Sequence, residues 1–230
     1  MAQNLENNRT DIIVTDLKMV ASLVPGVGSF LSELIGQIIP GQRQDRIANF
    51  LRELDVRMKD IEMDQLQVNT YFVDILEDAA LQSIKALSEE RNKYLANFTV
   101  SSIGISDDQF EVKKKLIFIL SELTDLDVEI LNGFYTNSET KIHKRFQYEH
   151  LAVGPYRNLS DAEKKEYDSK SIAWDMHIST LERLALIYPD YEQKELRLNS
   201  KVGMPKIKCY RISVLGSLLL RSISEIQTAQ

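Results

Sequence analysis

Cysteine is almost missing from this chain. Cys209 is the only one in 230 residues, which excludes an intrachain disulfide framework and any Cys-rich zinc or iron–sulfur site. Proline and glycine are also scarce, at five and nine, which argues against a turn-rich β-sandwich and excludes a collagen-like chain. There is no excess of positive charge: 28 Lys and Arg stand against 34 Asp and Glu, a net charge of −6. The chain as a whole is therefore not a polybasic binder of nucleic acid or membrane, and only a local basic patch could act as one. The opening MAQNLENNRT is polar, without a basic start before an apolar run. No cleaved secretory signal is expected, and a cytoplasmic location is. Nor is there a long uninterrupted apolar run. A membrane span needs roughly 20 predominantly apolar residues, and the best stretch, Met19 to Gln42, contains Glu33, Pro25, Gly26, Gly28, Gly36, Pro40 and Gly41. A helical hairpin that is buried or inserts at a surface fits this stretch better. Internal repeats and low-complexity tracts are absent.

What is present is helical periodicity. Apolar residues make up 43% of the chain and charged residues 27%, enough for one large or two small packed domains. Three zones follow one another. In residues 1–42, Phe30, Leu31, Leu34, Ile35 and Ile38 crowd one side of a segment whose other side carries Ser29, Glu33 and Gln37. This predicts an amphipathic helix entered through PGVG and stopped by Pro40-Gly41. Residues 43–123 form a helical bundle. Ile47, Phe50, Leu51, Leu54, Met58 and Ile61 step by three and four towards Leu66, predicting a single helix roughly 40 Å long. Tyr71 to Phe98 carries the next apolar series, and Ser106-Asp107-Asp108 caps a helix bearing Phe110, Leu116, Ile117 and Leu120. Residues 124–230 change character. LTDLDVEIL opens a helix with carboxylates in its first turns, a polar insertion runs from about 137 to 170, and Ser171 to Ile187 is helical. After Pro189 the period becomes two, and Leu196 and Leu198 face Ile207 and Cys209 across a Gly203-Met204-Pro205 turn. Ser213 then caps a last helix from Leu215 to Ile226. The expected fold is mainly α: an N-terminal helical bundle with a C-terminal winged-helix-like domain containing one β-hairpin.

Residues with catalytic or metal-binding chemistry do not assemble into a motif. His143, His150 and His177 form no HExxH pair, and His177, one turn from Leu181, is expected to be a packing histidine with its polar atoms satisfied. Gly26-Val27-Gly28 lacks the lysine of a P-loop and the third glycine of a dinucleotide fold, and there is no GxSxG elbow. Asp190, Glu192 and Lys194 supply the letters of an Mg²⁺-dependent nuclease, but two carboxylates two residues apart at a hairpin entry do not converge on one metal as that chemistry requires. A solvated turn is expected there. No catalytic residue, metal, cofactor or small-molecule substrate is expected.

The basic residues are more informative. From Lys194 to Arg211 the hairpin carries six cations, including Arg197, Lys201, Lys206 and Lys208, against Glu195 and no other acid. Such a wing could lie on DNA phosphates and release counterions. The helix that would read bases, Ser171 to Ile187, carries Arg183 but also Asp175 and Glu182, a poor composition for a major-groove reader.

Several segments together resemble the bacterial Abi-alpha family. VPGVGSFLSELIG is followed by an Arg-bearing helix. LEDAALQSIKALSEERNKYLAN ends in a Leu95-Ala96-Asn97 step. ILSELTDLDVEIL follows, and LERLALI leads into a hairpin and ISVLGSLLL. The resemblance runs from about Val24 to Ile223. The chain departs from the family's Thr-Pro-Leu-Gly before the last helix, with Ser213-Val214-Leu215-Gly216, and in its polar insertion. The resemblance implies a non-enzymatic protein of the abortive-infection, phage-defence kind. On that view the apolar face marked by Leu23, Phe30, Leu34 and Ile38 would leave the bundle and bind a protein partner or the inner-membrane surface. The alternative is a winged-helix DNA-binding regulator using the wing cations. Oligomerisation stays open.

Overall fold

The computed structural model describes residues 41–58, 70–136, 160–191 and 207–224. The chain divides into two compact units: unit 1 comprises residues 1–122 and 221–230, and unit 2 comprises residues 123–220. Among the described residues there are seven helices and one two-stranded antiparallel hairpin near the C-terminus, so the fold is mainly α.

Unit 1 contains α1 (Gly41–Met58), α2 (Thr70–Ser83), α3 (Glu89–Val100) and α4 (Asp107–Glu122). Helix α1 packs chiefly against α3, and α2 touches α1, α3 and α4. The apolar residues of α1, Ile47, Phe50, Leu51, Leu54 and Met58, are all buried, as their three-and-four spacing requires. They meet a core of Phe72, Ile75 and Leu76 from α2, Leu95 and Phe98 from α3, and Leu116, Ile117 and Leu120 from α4. The described part of α1 ends at Met58; its expected continuation to Leu66 lies outside the described residues. The Tyr71 to Phe98 series is two helices rather than one. Ser88 breaks it by accepting a hydrogen bond from the Arg91 backbone N–H, with Glu89 and Glu90 in the new first turn. Leu87, just before this cap, is exposed.

The helix ends in unit 1 are closed by other helices. A helix leaves its last carbonyls without partners, and here side chains from neighbours supply the donors. Arg46 on α1 donates to the Ile84 carbonyl just past α2, at 3.0 Å, and Arg91 on α3 donates to the Leu120 carbonyl of α4, also at 3.0 Å. Gln82 on α2 also donates to the Ile117 carbonyl, inside α4 rather than at its end.

Unit 2 contains α5 (Asp125–Tyr135), α6 (Asp161–Arg183), β1 (Ile187–Tyr191), β2 (Ile207–Ile212) and the first seven residues of α7 (Val214–Ile223). Helix α5 packs on α6 and β2, and α6 packs on β1. Both long-range helices begin with capping boxes: Thr124 with Asp127, and Ser160 with Glu163. The second box starts α6 ten residues before the expected Ser171, so the last third of the polar insertion is helical. These first ten residues, DAEKKEYDSK, carry no apolar stripe, so periodicity does not mark them as helix. The first strand also starts earlier than the period-two pattern after Pro189 suggested, and Pro189 lies within it. In a two-stranded sheet every strand is an edge, so a missing N–H is tolerated. Ile187 pairs with Ile212, Pro189 with Tyr210 and Asp190 with Cys209, and the register shifts before Tyr191 meets Ile207. Leu196 and Leu198 lie outside the described residues.

The turn between α6 and β1 fixes the hairpin. Ala185 is left-handed, with φ of 56°. Its N–H donates to the Glu182 carbonyl and the Leu186 N–H to the Leu181 carbonyl, both at 2.9 Å. Leu181 and Leu186 are fully buried, which completes a Schellman ending with alanine where glycine is usual. Ser213 then joins this turn to α7. Its N–H donates to the Leu186 carbonyl and its hydroxyl to the Ala185 carbonyl, while its Oγ accepts from the Gly216 N–H as the helix cap. A Cβ at Gly216 would overlap the Leu186 carbonyl oxygen. Ala185→Gly is expected to stabilise the protein by about 1 kcal/mol, because glycine adopts φ > 0 without the Cβ clash. Gly216→Ala is expected to destabilise it by about 2 kcal/mol or more, because the obstacle is backbone rather than a mobile side chain. Thermal melts of both variants test the pair: opposite shifts in Tm are expected, and equal shifts would be inconsistent with this turn.

Candidate functional site

In unit 2, α6 and the hairpin carry several exposed apolar side chains. Because side chains alternate along a strand, Ile187, Pro189, Tyr210 and Ile212 share one face of the hairpin, and Tyr188, Asp190, Cys209 and Arg211 share the other. On that second face Arg211 donates to Asp190 Oδ2 from Nε at 2.9 Å and from Nη2 at 2.8 Å. Tyr188, Tyr191 and Ile207 are 49%, 46% and 46% exposed, and on α6 Ile172 and Met176 are 60% and 66% exposed. Tyr210 is held above its ordinary pKa of 10.0, first by burial and then by the charges of Glu182, Tyr191 and Asp175. Its hydroxyl therefore stays neutral at physiological pH.

Between α5 and α6, Asp127 of α5 is buried and bonded through both carboxylate oxygens. Its Oδ2 accepts from the backbone N–H and hydroxyl of Thr124, both at 2.7 Å, and its Oδ1 accepts from His177 Nδ1 of α6 at 2.7 Å. A buried carboxylate needs such donors to be tolerated, so this contact pins α6 to α5. His177 is thus a packing histidine with a carboxylate partner. The sequence carried the Thr124-x-x-Asp127 cap signal, but nothing in it pointed to a partner 50 residues away.

In unit 1 the most chemically distinctive group is Lys113 of α4. Its ammonium donates to Ser101 Oγ at 2.7 Å and Ser222 Oγ at 2.8 Å, and it lies 4.9 Å from the centre of the Phe98 ring. Ser101 caps the C-terminus of α3 and Ser222 lies in the last turn of α7. The cation therefore sits at two negative helix ends. No described carboxylate pairs with it, and burial lowers its pKa from 10.5 to about 8. Beside it, Asn97 donates to the Ile223 carbonyl at 2.7 Å and accepts from Arg57 Nε. Lys114 shows the contrasting case. Burial alone would lower its pKa, but the hydrogen bonds it donates to Asp74 and Asp78 outweigh that and raise it. Helical spacing alone does not reveal which helix end such a side chain will reach.

The residues expected to carry function are placed as follows. Leu23, Phe30, Leu34 and Ile38 lie outside the described residues, as do Arg197, Lys201 and Lys206. Lys208 is placed on β2 as a backbone position. Of the nuclease letters, Asp190 is bonded to Arg211 while Glu192 and Lys194 lie outside the described residues. Among the described residues no group of three or more His, Cys, Asp and Glu side chains is placed to hold a metal, and no helix is long and apolar enough to cross a membrane. Comparison with known protein families, with curated proteins and with solved structures finds no match.

The Lys113 site predicts a pH dependence. Lys113 binds its proton less tightly folded than unfolded, so the cost of burying the cation is full below pH 8. It is lifted as pH rises towards 10.5. Wild-type stability relative to Lys113→Met should therefore rise between pH 8 and 10.5 and stay level from pH 5 to 7. Urea melts of both proteins across that range test this; a difference that is constant with pH would show that Lys113 is not desolvated.

Proposed function

We propose that this chain is a non-enzymatic interaction protein of the phage-defence, abortive-infection kind. It works through apolar side chains offered to a protein partner or a membrane surface. Leu23, Phe30, Leu34 and Ile38 supply the releasable apolar element. One observation supports this most: unit 2 presents Ile172, Met176, Tyr188, Tyr191 and Ile207 to solvent on neighbouring elements. Exposed aromatic and aliphatic side chains on neighbouring elements favour contact with another macromolecule.

The DNA-binding reading draws less support. Helix α6 carries six carboxylates against four lysines and arginines, which repels phosphates where a recognition helix must approach them. Arg211 on the hairpin is already engaged by Asp190.

The test is a phage challenge in a bacterial host expressing the wild-type chain or Leu34→Asp, alongside flotation of the purified proteins with anionic vesicles. Wild-type protection that Leu34→Asp removes is expected. Flotation of wild type alone would identify the membrane as the target, and protection without flotation would identify a protein. No protection, together with a salt-sensitive shift of DNA, would overturn the reading in favour of a regulator.

A further inference from the structure

The exposed face of α6 has a regular charge pattern, one member of which, Asp161, also pairs with Lys164 Nζ at 3.6 Å. Asp161, Asp168, Asp175 and Glu182 recur at intervals of seven residues, and all four are exposed. Seven residues is close to two helical turns, so the four carboxylates form one row along the helix. Beside that row lie Lys165, Ser169, Ile172, Met176, Ser179 and Arg183, spaced by three and four and all exposed. In heptad terms Ser169, Met176 and Arg183 occupy one seam position and Lys165, Ile172 and Ser179 the other, and the acidic row is the flanking g position. The opposite face of α6 is occupied: Ile178 and Leu181 are buried and His177 is bonded to Asp127. A helix anchored on one face and apolar at the centre of its other face, with one acidic flank, presents half of a helix–helix interface.

We infer that the outer face of α6 docks an amphipathic helix of a partner protein, one whose apolar seam covers Ile172 and Met176 and whose flank carries lysine or arginine. Charge complementarity selects the basic partner, because g-position charges pair with the flanking positions of the facing helix and like charges there are repelled. A second copy of α6 packed antiparallel would set its own g-position carboxylates against those of the first, and one packed parallel would face them with Glu166, Ala173 and Thr180, none of them a cation. Seven-residue spacing also favours a helix over a flat anionic membrane, which the acidic row would repel. This assignment rests on the proposed function in that it names the partner chemistry of an interaction protein.

The probe is a fluorescein-labelled helical peptide of about three heptads, with leucine at both seam positions and lysine at both flanks. A matched peptide carries glutamate at the flanks. Fluorescence anisotropy with the full chain should show binding of the lysine peptide and not of the glutamate peptide. Ile172→Asp with Met176→Asp should weaken binding by about tenfold or more. Asp168→Lys, Asp175→Lys and Glu182→Lys together should invert the preference to the glutamate peptide. Glu90→Lys, Glu111→Lys and Glu122→Lys, the same change in net charge on exposed positions of unit 1, should leave binding at the wild-type level. All substituted positions are exposed, and circular dichroism verifies folding. Equal weakening by the two charge-reversal sets would reduce the effect to general attraction and overturn the site, as would a preference that α6 reversal leaves unchanged. Neither variant set touches Leu34, so a wild-type chain that protects against phage but does not bind the lysine peptide would remove this inference and leave the proposed function standing.

Discussion

Every α-helix ends with carbonyl oxygens that its own backbone cannot satisfy, and much of unit 1 is arranged around that constraint. Arg46 and Arg91 each reach a carbonyl in or just past the last turn of another helix. Asn97 does the same for Ile223, and Lys113 lies between the hydroxyls that close α3 and α7. A donor placed at a helix C-terminus gains from the hydrogen bond and, when charged, from the negative end of the helix dipole. The apolar core of unit 1 decides that the helices pack. These polar contacts decide where along one another they stop. This explains how Lys113 keeps its half-buried place on two hydroxyls, with no carboxylate beside it among the described residues.

Unit 2 solves the same problem at a single turn. Helix α6 ends with Ala185 in the left-handed region, and the carbonyls left over at Ala185 and Leu186 are both taken by Ser213. Ser213 is at the same time the cap of α7. One serine thus sets the end of a helix, the closing of the hairpin and the start of the next helix, and Gly216 is the residue that lets the backbones come that close. The Asp127–His177 contact holds α6 against α5 from the other side. With its inner face fixed in this way, α6 leaves a straight outer face available to solvent, and the interaction reading depends on that face.

Much of the local structure was legible in the residues. The α1 stripe, the Ser106 start of α4, the Thr124 cap of α5, the second strand from Ile207 and the Ser213 cap of α7 follow from spacing and capping chemistry that act over four residues or fewer. Two errors came from trusting apolar periodicity over caps. Ser88 divides what looks like one helix, and Ser160 with Glu163 starts a helix in sequence that has no stripe. Both signals were present, and both were outweighed by the apolar pattern around them. The exposed heptad row on α6 was also in the sequence, but it gains meaning only once the opposite face is known to be buried.

The sequence by itself determined that this chain is mainly helical with one hairpin, where several of its helices start, and that no cysteine framework supports it. These are consequences of short-range terms: backbone propensity, caps and the period of the apolar residues. Only the tertiary structure decided which side chains face one another. Arg91 with Leu120, Asp127 with His177 and Lys113 with Ser222 are separated by 29, 50 and 109 residues. The free energy of such a pair depends on distance and burial in the folded state, and neither is encoded at any one position of the chain.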